Sequence, residues 1–292
     1  MPKALILGGD TGLLGQALTR ELERRGWETV ALGRRDGDLG SYDFLEAKID
    51  EINPDHVFNA AAYTKVDDAE DNFDEACALN RALPDSLARI LSQRDGARLT
   101  HYSTDFVFSG DRATPWKETD TPNPAGVYGE TKLEGEKAVL SLLPDRSCVI
   151  RTAWLFGPGR KNFVSTILYA CKNRKVLTVV DDQYGSPTFS EDLAEWTASL
   201  AEKNASGLWH GVNSGQANWC ELASEAVHIA NCDCRIEPIP SSEWPQKAKR
   251  PSYSVLDNSR LAEFLGKKPR PWPNALRDYL FSYYFNDEEG HS

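Results

Sequence analysis

Through the first half of the chain, short apolar runs alternate with stretches whose apolar residues fall at helical spacing. "KALIL" at 3–7 is a continuous apolar run closed by glycine, the pattern of a strand covered on both faces. In "LLGQALTRELERRG", Leu14, Leu18 and Leu22 recur every fourth position and Gly26 stands where a helix would stop. "WETVALG" predicts a second strand, and Ser41 an N-cap for the helix "YDFLEAKIDEI". "DHVFNAAA" predicts a third strand, followed by a helix from about Val66 to Gln93 with Pro84 as a break or restart. "ARLTHYST" predicts a fourth strand, then an irregular stretch rich in Asp, Thr and Pro over 105–125. A helix starts near Tyr128, and "SCVIRTAWLFG" is a further strand. This alternation predicts an α/β fold, a Rossmann-type doubly wound parallel sheet with right-handed crossovers.

Beyond about residue 155 the order is less regular. "NFVSTILYACKN" and "SEDLAEWTASLAEKN" predict helices, while "VLTVV", "GLWHGV" and "CRIEPIP" predict extended pieces. "PSYSVLDNSRLAEFLG" reads as an extended piece running into a helix, and a last helix covers about 273–285. The expected organisation is a dinucleotide-binding core over 1–155, to which a later helix and strand return, and a smaller, mainly substrate-binding lobe over 156–292. The tail "NDEEGHS" is expected to fray.

Composition narrows the partners. A formal net charge of -11 over 292 residues argues against nucleic acid or an anionic membrane surface, while leaving room for a local basic pocket. The six cysteines are scattered, and "CDC" at 232–234 lacks the second cluster a zinc site wants. The N-terminal apolar run is too short for an export signal, and no stretch has the ~18 apolar residues of a membrane span. A reducing, cytoplasmic setting is therefore expected.

The turn after the first strand reads "GGDTGLLG", with Gly9, Gly12 and Gly15 spaced three apart. Glycines there allow a tight turn and close approach of backbone amides to a pyrophosphate, at the positive end of the following helix. At the end of the second strand a carboxylate would read a ribose 2'-hydroxyl, whereas arginine accommodates a 2'-phosphate. "ALGRRDGD" places Arg34 and Arg35 there, which favours NADPH over NADH; Asp36 is the residue that would favour NADH. The small residues of "NAAAYT", Ala61 and Ala62 among them, leave room for a ligand against the third strand's end.

The fourth strand ends in "HYSTD", which brings the Thr104 hydroxyl to the same edge of the sheet. In "VYGETK", Tyr128 and Lys132 are four apart and share a helix face. A nearby ammonium favours the phenolate and should lower the phenol's pKa. Tyr128 is then the proton donor to a developing alkoxide, Thr104 the group orienting the carbonyl, and Lys132 the tuner and ribose clamp. Arg250, before Pro251, is a candidate partner for a diphosphate.

This set resembles the extended short-chain dehydrogenase/reductase superfamily, in which Asn80 of "CALN" also matches a frequent asparagine. More specific stretches follow in order: "NAAAYTKVDDAE", "HYSTDFVFSGD", "PWKETDTPNPAGVYGETKLEGE", "RTAWLFG", "VVDDQYGSPT" and "RPSYSVLDNSRL". Together they resemble the dTDP-4-dehydrorhamnose reductase family over nearly the whole chain. The resemblance implies reduction of the 4-keto group of a dTDP-6-deoxyhexulose, with Thr104, Tyr128 and Lys132 as the catalytic trio. It implies cofactor contacts at Gly9, Gly12, Leu13, Leu14, Gly15, Asp38, Leu39, Ala61, Ala62 and Thr64, with Tyr128 and Lys132. It implies substrate contacts at Val66, Thr104, Asp105, Trp154, Asn162 and Gln183. Magnesium-linked dimers of this family carry acidic residues on the first helix, where this chain has Ala17, and Glu191 alone does not make a site. No metal and a monomer or weak homodimer are expected. Asp10 departs from the usual loop and stands as a mild electrostatic penalty beside the phosphates. The alternatives are an epimerase or dehydratase acting on another nucleotide sugar, and a non-catalytic NADP-binding regulatory subunit.

Overall fold

Strand β1 (Lys3–Leu7) is buried on both sides because its neighbours carry helices on both faces. Ala4 and Ile6 point into one core layer, and Leu5 and Leu7 into the other. The computed structural model describes residues 1–285; the tail predicted to fray lies outside the described residues. Helix α1 (Leu13–Arg24) follows β1, then β2 (Glu28–Leu32), α2 (Tyr42–Ile52) and β3 (His56–Asn59). Next come α3 (Val66–Ala69), α4 (Phe73–Cys77), α5 (Leu83–Ser92), β4 (Arg98–Thr104), α6 (Val127–Leu142) and β5 (Ser147–Thr152).

The single helix expected over 66–93 is divided. A π turn over Ala78–Ala82 joins α4 to α5 without a break. Pro84, which has no N–H, is accommodated in the first turn of α5, where a missing donor costs least. "SCVIRTAWLFG" is also divided. β5 ends at Thr152, Trp154 takes a left-handed conformation at φ 47, and β6 (Leu155–Phe156) starts a new direction.

The second half supplies α7 (Phe163–Cys171), β7 (Val176–Val180), β8 (Tyr184–Gly185), β9 (Thr188–Phe189), α8 (Ser190–Glu202) and β10 (Gly207–His210). It ends with β11 (Ala217–Asn218), α9 (Trp219–Ile229), β12 (Arg235–Ile239), α10 (Ser259–Leu265) and α11 (Trp272–Tyr279), which runs into a π turn over Leu280–Tyr284.

The central sheet has six parallel strands in the order β10-β5-β4-β3-β1-β2. The chain leaves β1 for β2 on one side and returns to β3 on the other, so the strand order reverses between β1 and β3. Ligands of open parallel sheets bind at such a reversal, outside the carboxyl ends of the strands. One layer packs α1 on α8 through Leu14, Leu18 and Leu22 against Leu193, Ala194 and Leu200. The other packs α2, α5 and α6 through Leu45, Ile49, Leu87, Leu91 and Val139. β7 and β12 form a separate parallel pair, backed by α7 and α9 through Ile167, Leu177, Ala223 and Val227.

Candidate active site

Backbone geometry makes the turn after β1. Gly8 has φ 79, and its carbonyl oxygen accepts the Gly12 N–H at 3.0 Å. A Cβ at Gly12 would stand 2.4 Å from that oxygen, and one at Gly15 2.1 Å from it, so no other residue fits either position without displacing the turn. Gly12 is the N-cap of α1 and offers no side-chain cap, and the first turn holds no acidic residue. The leading amides of α1, at Leu13, Leu14 and Gly15, therefore present an anion-binding end to the reversal point. The Leu14 side chain is sealed in the core, so any contact it makes is through its backbone. The residues present fit a dinucleotide pyrophosphate.

The Asp10 carboxyl group lies against the end of β2, where a Cβ on Gly33 would stand 1.9 Å from it, and it also accepts from the Thr11 hydroxyl at 3.3 Å. Asp36, the residue that would favour NADH, accepts the Gly33 N–H at 2.8 Å and folds its own turn. Arg34 and Arg35 are exposed. Asp38 accepts the Gly40 N–H at 2.8 Å through one oxygen and is exposed, while the Leu39 side chain is buried in the core and reaches a cofactor only through its backbone. Ala61 and Ala62 are half-buried and Thr64 is exposed on the loop after β3. Buried Asn80 holds that loop: it accepts the Tyr63 N–H at 2.9 Å and donates to the Tyr63 carbonyl at 3.1 Å and to Thr131 on α6 at 3.2 Å. It is a tie between the loop and α6 rather than a helix-surface amide.

Helix α6 comes close to β4 because its own glycines permit it. A Cβ on Gly129 would lie 2.2 Å from the Phe106 carbonyl, and one on Gly135 would lie 2.2 Å from that of Asn80. Pro84 has no N–H to offer the Asn80 carbonyl four residues back, and α6 fills that space. Glu70 accepts the Val127 N–H at 3.0 Å and fixes the start of the helix. Tyr128 is thereby brought beside Thr104, close enough for the threonine side chain to act on the phenol.

Thr104 is 4 % exposed; it donates to Asp105 at 3.1 Å and accepts the Phe106 N–H at 3.2 Å. The second oxygen of Asp105 takes the Ser254 hydroxyl at 2.5 Å, so a residue from the far end of the chain completes the carboxylate's surroundings. Burial raises the Asp105 carboxyl to about 6 against these hydrogen bonds. Burial pushes the Tyr128 phenol up to about 12, with the Asp105 charge adding to it and the neighbouring Thr104 side chain opposing it. This corrects the expectation that Lys132 lowers the phenol. The Lys132 ammonium instead donates to the Tyr102 carbonyl at 2.5 Å, and burial brings it down to about 8.

A cleft beside Tyr128 is lined by Val66, Glu70, Phe106, Gly126, Ala248 and Lys249. The other residues expected to contact substrate are engaged with each other. Trp154 stacks on Trp219 with ring centres 3.5 Å apart and 5° between planes, and Gly185 packs against its indole. The ring face turned towards Trp219 is thereby covered. Asn162 is the N-cap of α7 in a capping box with Ser165, and its amide also donates to the Gly157 carbonyl at 2.9 Å; it is a structural cap in this state. Gln183 is buried and donates to Gln246 at 3.4 Å. Arg250 makes a two-pronged pair with Asp67, at 3.1 and 2.7 Å, and donates to Gln246 at 2.9 Å. Asp67 also accepts the N–H groups of Lys247 and Ala248 at 3.1 and 3.0 Å, so it fastens the whole 246–250 segment over α3. Asp67 and Ser254 both lie inside stretches that carry the resemblance, but nothing in their spacing pairs them with Arg250 or Asp105.

Ala17 is fully buried, and Glu191 accepts from Arg20 at 2.5 Å. Among the described residues no group of three or more His, Cys, Asp or Glu side chains is placed to hold a metal. No helix among them is long and apolar enough to cross a membrane.

A reversal-point glycine cradle beside a threonine, tyrosine and lysine set defines a nucleotide-dependent oxidoreductase with the short-chain dehydrogenase/reductase fold. The chain belongs to the family described as the RmlD substrate binding domain, whose model matches residues 3–285. It is 39% identical over 284 residues to a dTDP-4-dehydrorhamnose reductase of Streptomyces griseus, covering 95% of this chain and 92% of that one. It is 36% identical over 273 residues to a dTDP-4-keto-6-deoxy-D-glucose reductase of Streptomyces niveus, covering 93% of this chain and 94% of the relative. The crystal structure of dTDP-4-dehydrorhamnose reductase from Bacillus anthracis in complex with NADP superposes with a TM-score of 0.92 at 31% identity, covering 97% of this chain and all of that one.

Proposed function

We propose that this chain reduces the 4-keto group of dTDP-4-dehydro-L-rhamnose to dTDP-L-rhamnose with NADPH. The observation that carries the reading is the convergence of Thr104, Tyr128 and Lys132 at the carboxyl end of β4, on the edge of the sheet that holds the glycine cradle. NADPH supplies the hydride. Tyr128 supplies the proton: with its phenol held near 12, the hydroxyl is protonated throughout the neutral range and transfers its proton to the far more basic alkoxide oxygen as the C–H bond forms. Thr104 turns its one hydroxyl hydrogen from Asp105 to the same oxygen and, by donating to it, orients the ketone. Lys132 keeps two donor positions beyond the Tyr102 carbonyl for ribose hydroxyls.

The glycine cradle and the first α1 amides hold the pyrophosphate, and Arg34 reads the 2'-phosphate. Val66 and the cleft at Tyr128 take the sugar, and Arg250 takes the substrate diphosphate on release from Asp67. The domain reading follows the same division, with residues 1–155 as cofactor core and 156–292 mainly as substrate lobe. We assign the chain to a monomer or weak homodimer, on the engagement of Glu191 by Arg20, and to a reducing compartment, on the scattered spacing of its six cysteines.

The test is NADPH oxidation with dTDP-4-dehydro-L-rhamnose set against dTDP-4-keto-6-deoxy-D-glucose and a UDP-linked 4-keto sugar. The dTDP-4-dehydro-L-rhamnose should turn over with the highest kcat/KM. Preference for another sugar would move the chain to a neighbouring reductase. NAD that copurifies in stoichiometric amount, with no net NADPH oxidation, would move it to the epimerases.

A further inference from the structure

Helix α6 carries more than the tyrosine and the lysine on its site-facing stripe. Glu136 stands one turn beyond Lys132, in the same row as Tyr128 and Lys132. Both Lys132 and Glu136 are 2 % exposed. Glu136 accepts from Arg151 of β5 through both oxygens, at 2.8 and 2.7 Å, and Arg151 is itself 2 % exposed, with its guanidinium 5.0 Å over the Phe108 ring. Such a pair is rigid, since each group is held in one geometry and neither can turn to water. Lys132 makes its own hydrogen bond elsewhere, to the Tyr102 carbonyl. Glu136 therefore acts on the ammonium by charge across one helical turn, without ligating it.

We propose that Glu136 is a positioning residue for the reaction: clamped by Arg151, it is a fixed negative charge that keeps Lys132 an ammonium. This rests on the reading that Tyr128 and Lys132 carry the reduction. The groups facing Lys132 can be named by element. From α6 they are Tyr128 and Glu136. From β4 they are the Tyr102 carbonyl and His101, whose imidazole burial and the Lys132 charge hold neutral, well below its ordinary range. From β5, Arg151 faces Glu136. Burial lowers the Lys132 ammonium, and the Glu136 charge opposes that fall. A neutral amine would lose its pull on a phenolate and its charge-assisted bond to ribose hydroxyls.

The measurement is a 13Cε-lysine NMR titration of the cofactor-free protein, with the Lys132 signal assigned by Lys132→Arg, alongside the pH profile of kcat. Glu136→Gln keeps the shape and one acceptor for Arg151 and removes the charge. The Lys132 midpoint should fall by about one pH unit, and the alkaline limb of kcat should fall with it. Glu136→Asp keeps the charge but shortens the reach to Arg151; its midpoint should stay within about half a pH unit of wild type. If Glu136→Gln does not fold, the neutral pair Glu136→Gln with Arg151→Met should show a fall in the same direction, reduced because the Arg151 charge leaves with it. A wild-type midpoint in the Gln variants, or an equal fall in the Asp variant, overturns the proposal, since the clamp would then act by shape alone. Full activity in Tyr128→Phe would instead remove the reaction reading and leave the titration untouched.

Discussion

The two walls of the cleft are built from different materials. On the cofactor side the site is backbone: Gly8, Gly12 and Gly15 in a turn no Cβ can enter, and an uncapped α1 whose first amides face the strand reversal. On the substrate side it is side chains, and they hold one another. Arg250 is on Asp67, Asn162 caps α7, and Trp154 is stacked on Trp219. A backbone cradle is complete before its ligand arrives. A side-chain wall of this kind has to exchange internal partners for those the ligand brings, so its binding carries the cost of breaking them. Trp154 shows the tension, since a non-glycine residue at φ 47 persists only where its surroundings hold it there.

The largest expected effect tests the seam between the walls. Tyr128→Phe should lower kcat by about 10²–10⁴-fold. Its NADPH dissociation constant, read by nicotinamide fluorescence, should stay within about twofold, because the cradle is backbone. Retained turnover would remove Tyr128 as the proton donor.

The next effect tests the substrate wall. Arg250→Ala should raise KM for the nucleotide sugar about 10–100-fold, as expected for losing a charge-assisted pair. Asp67→Asn frees Arg250 from its internal partner and should lower KM by a few-fold, to roughly the extent that the pair now reduces the binding-competent population. A rise in KM for both variants would mean that the Asp67 clamp builds the site rather than occupying it.

A smaller effect tests the cofactor wall. Arg34→Ala should weaken NADPH about tenfold and leave NADH within about twofold. Equal losses would place the reading of the 2'-phosphate elsewhere, Arg35 being the neighbour to try.

The smallest effect is on stability at the seam. The Asp105 carboxyl is raised in the folded chain to about 6 from an ordinary 3.8, so the folded state holds that proton more tightly than the unfolded one. The stability this lends is full below about pH 4 and is lost as pH rises through about 6. Asp105→Asn should flatten that part of the curve and gain about 1–3 kcal/mol at pH 7.5 relative to wild type, by denaturant unfolding. An unchanged slope between pH 4 and 7 would mean that Ser254 and Thr104 compensate the buried charge in full.

Much of this was legible in the chain because it depends on local rules. Strand and helix alternation predicted the parallel sheet, and glycine spacing predicted the cradle, since both follow from what a few consecutive residues can do. The placement of Thr104 at a strand end, and of Tyr128 and Lys132 on one helix face, was legible for the same reason. The divided helix around Pro84 was less legible, because a π turn costs little locally and is chosen by the fit of Asn80 against Tyr63 and Thr131. Least legible were electrostatics and partners. A lysine four residues from a tyrosine suggested a lowered phenol, whereas burial, the Asp105 charge and the Tyr102 carbonyl decide the outcome.

The class of chemistry and the elements that carry its candidate residues could be read from the chain alone, because glycine conformations, strand patterning and helical spacing are properties of short stretches. Which charges meet is settled by packing. Asp67 and Arg250 are 183 residues apart, Asp105 and Ser254 are 149 apart, and Glu136 meets Arg151 across a helix and a strand. Pairings of that kind depend on how layers stack, and no local rule fixes the distance between two charges on different layers.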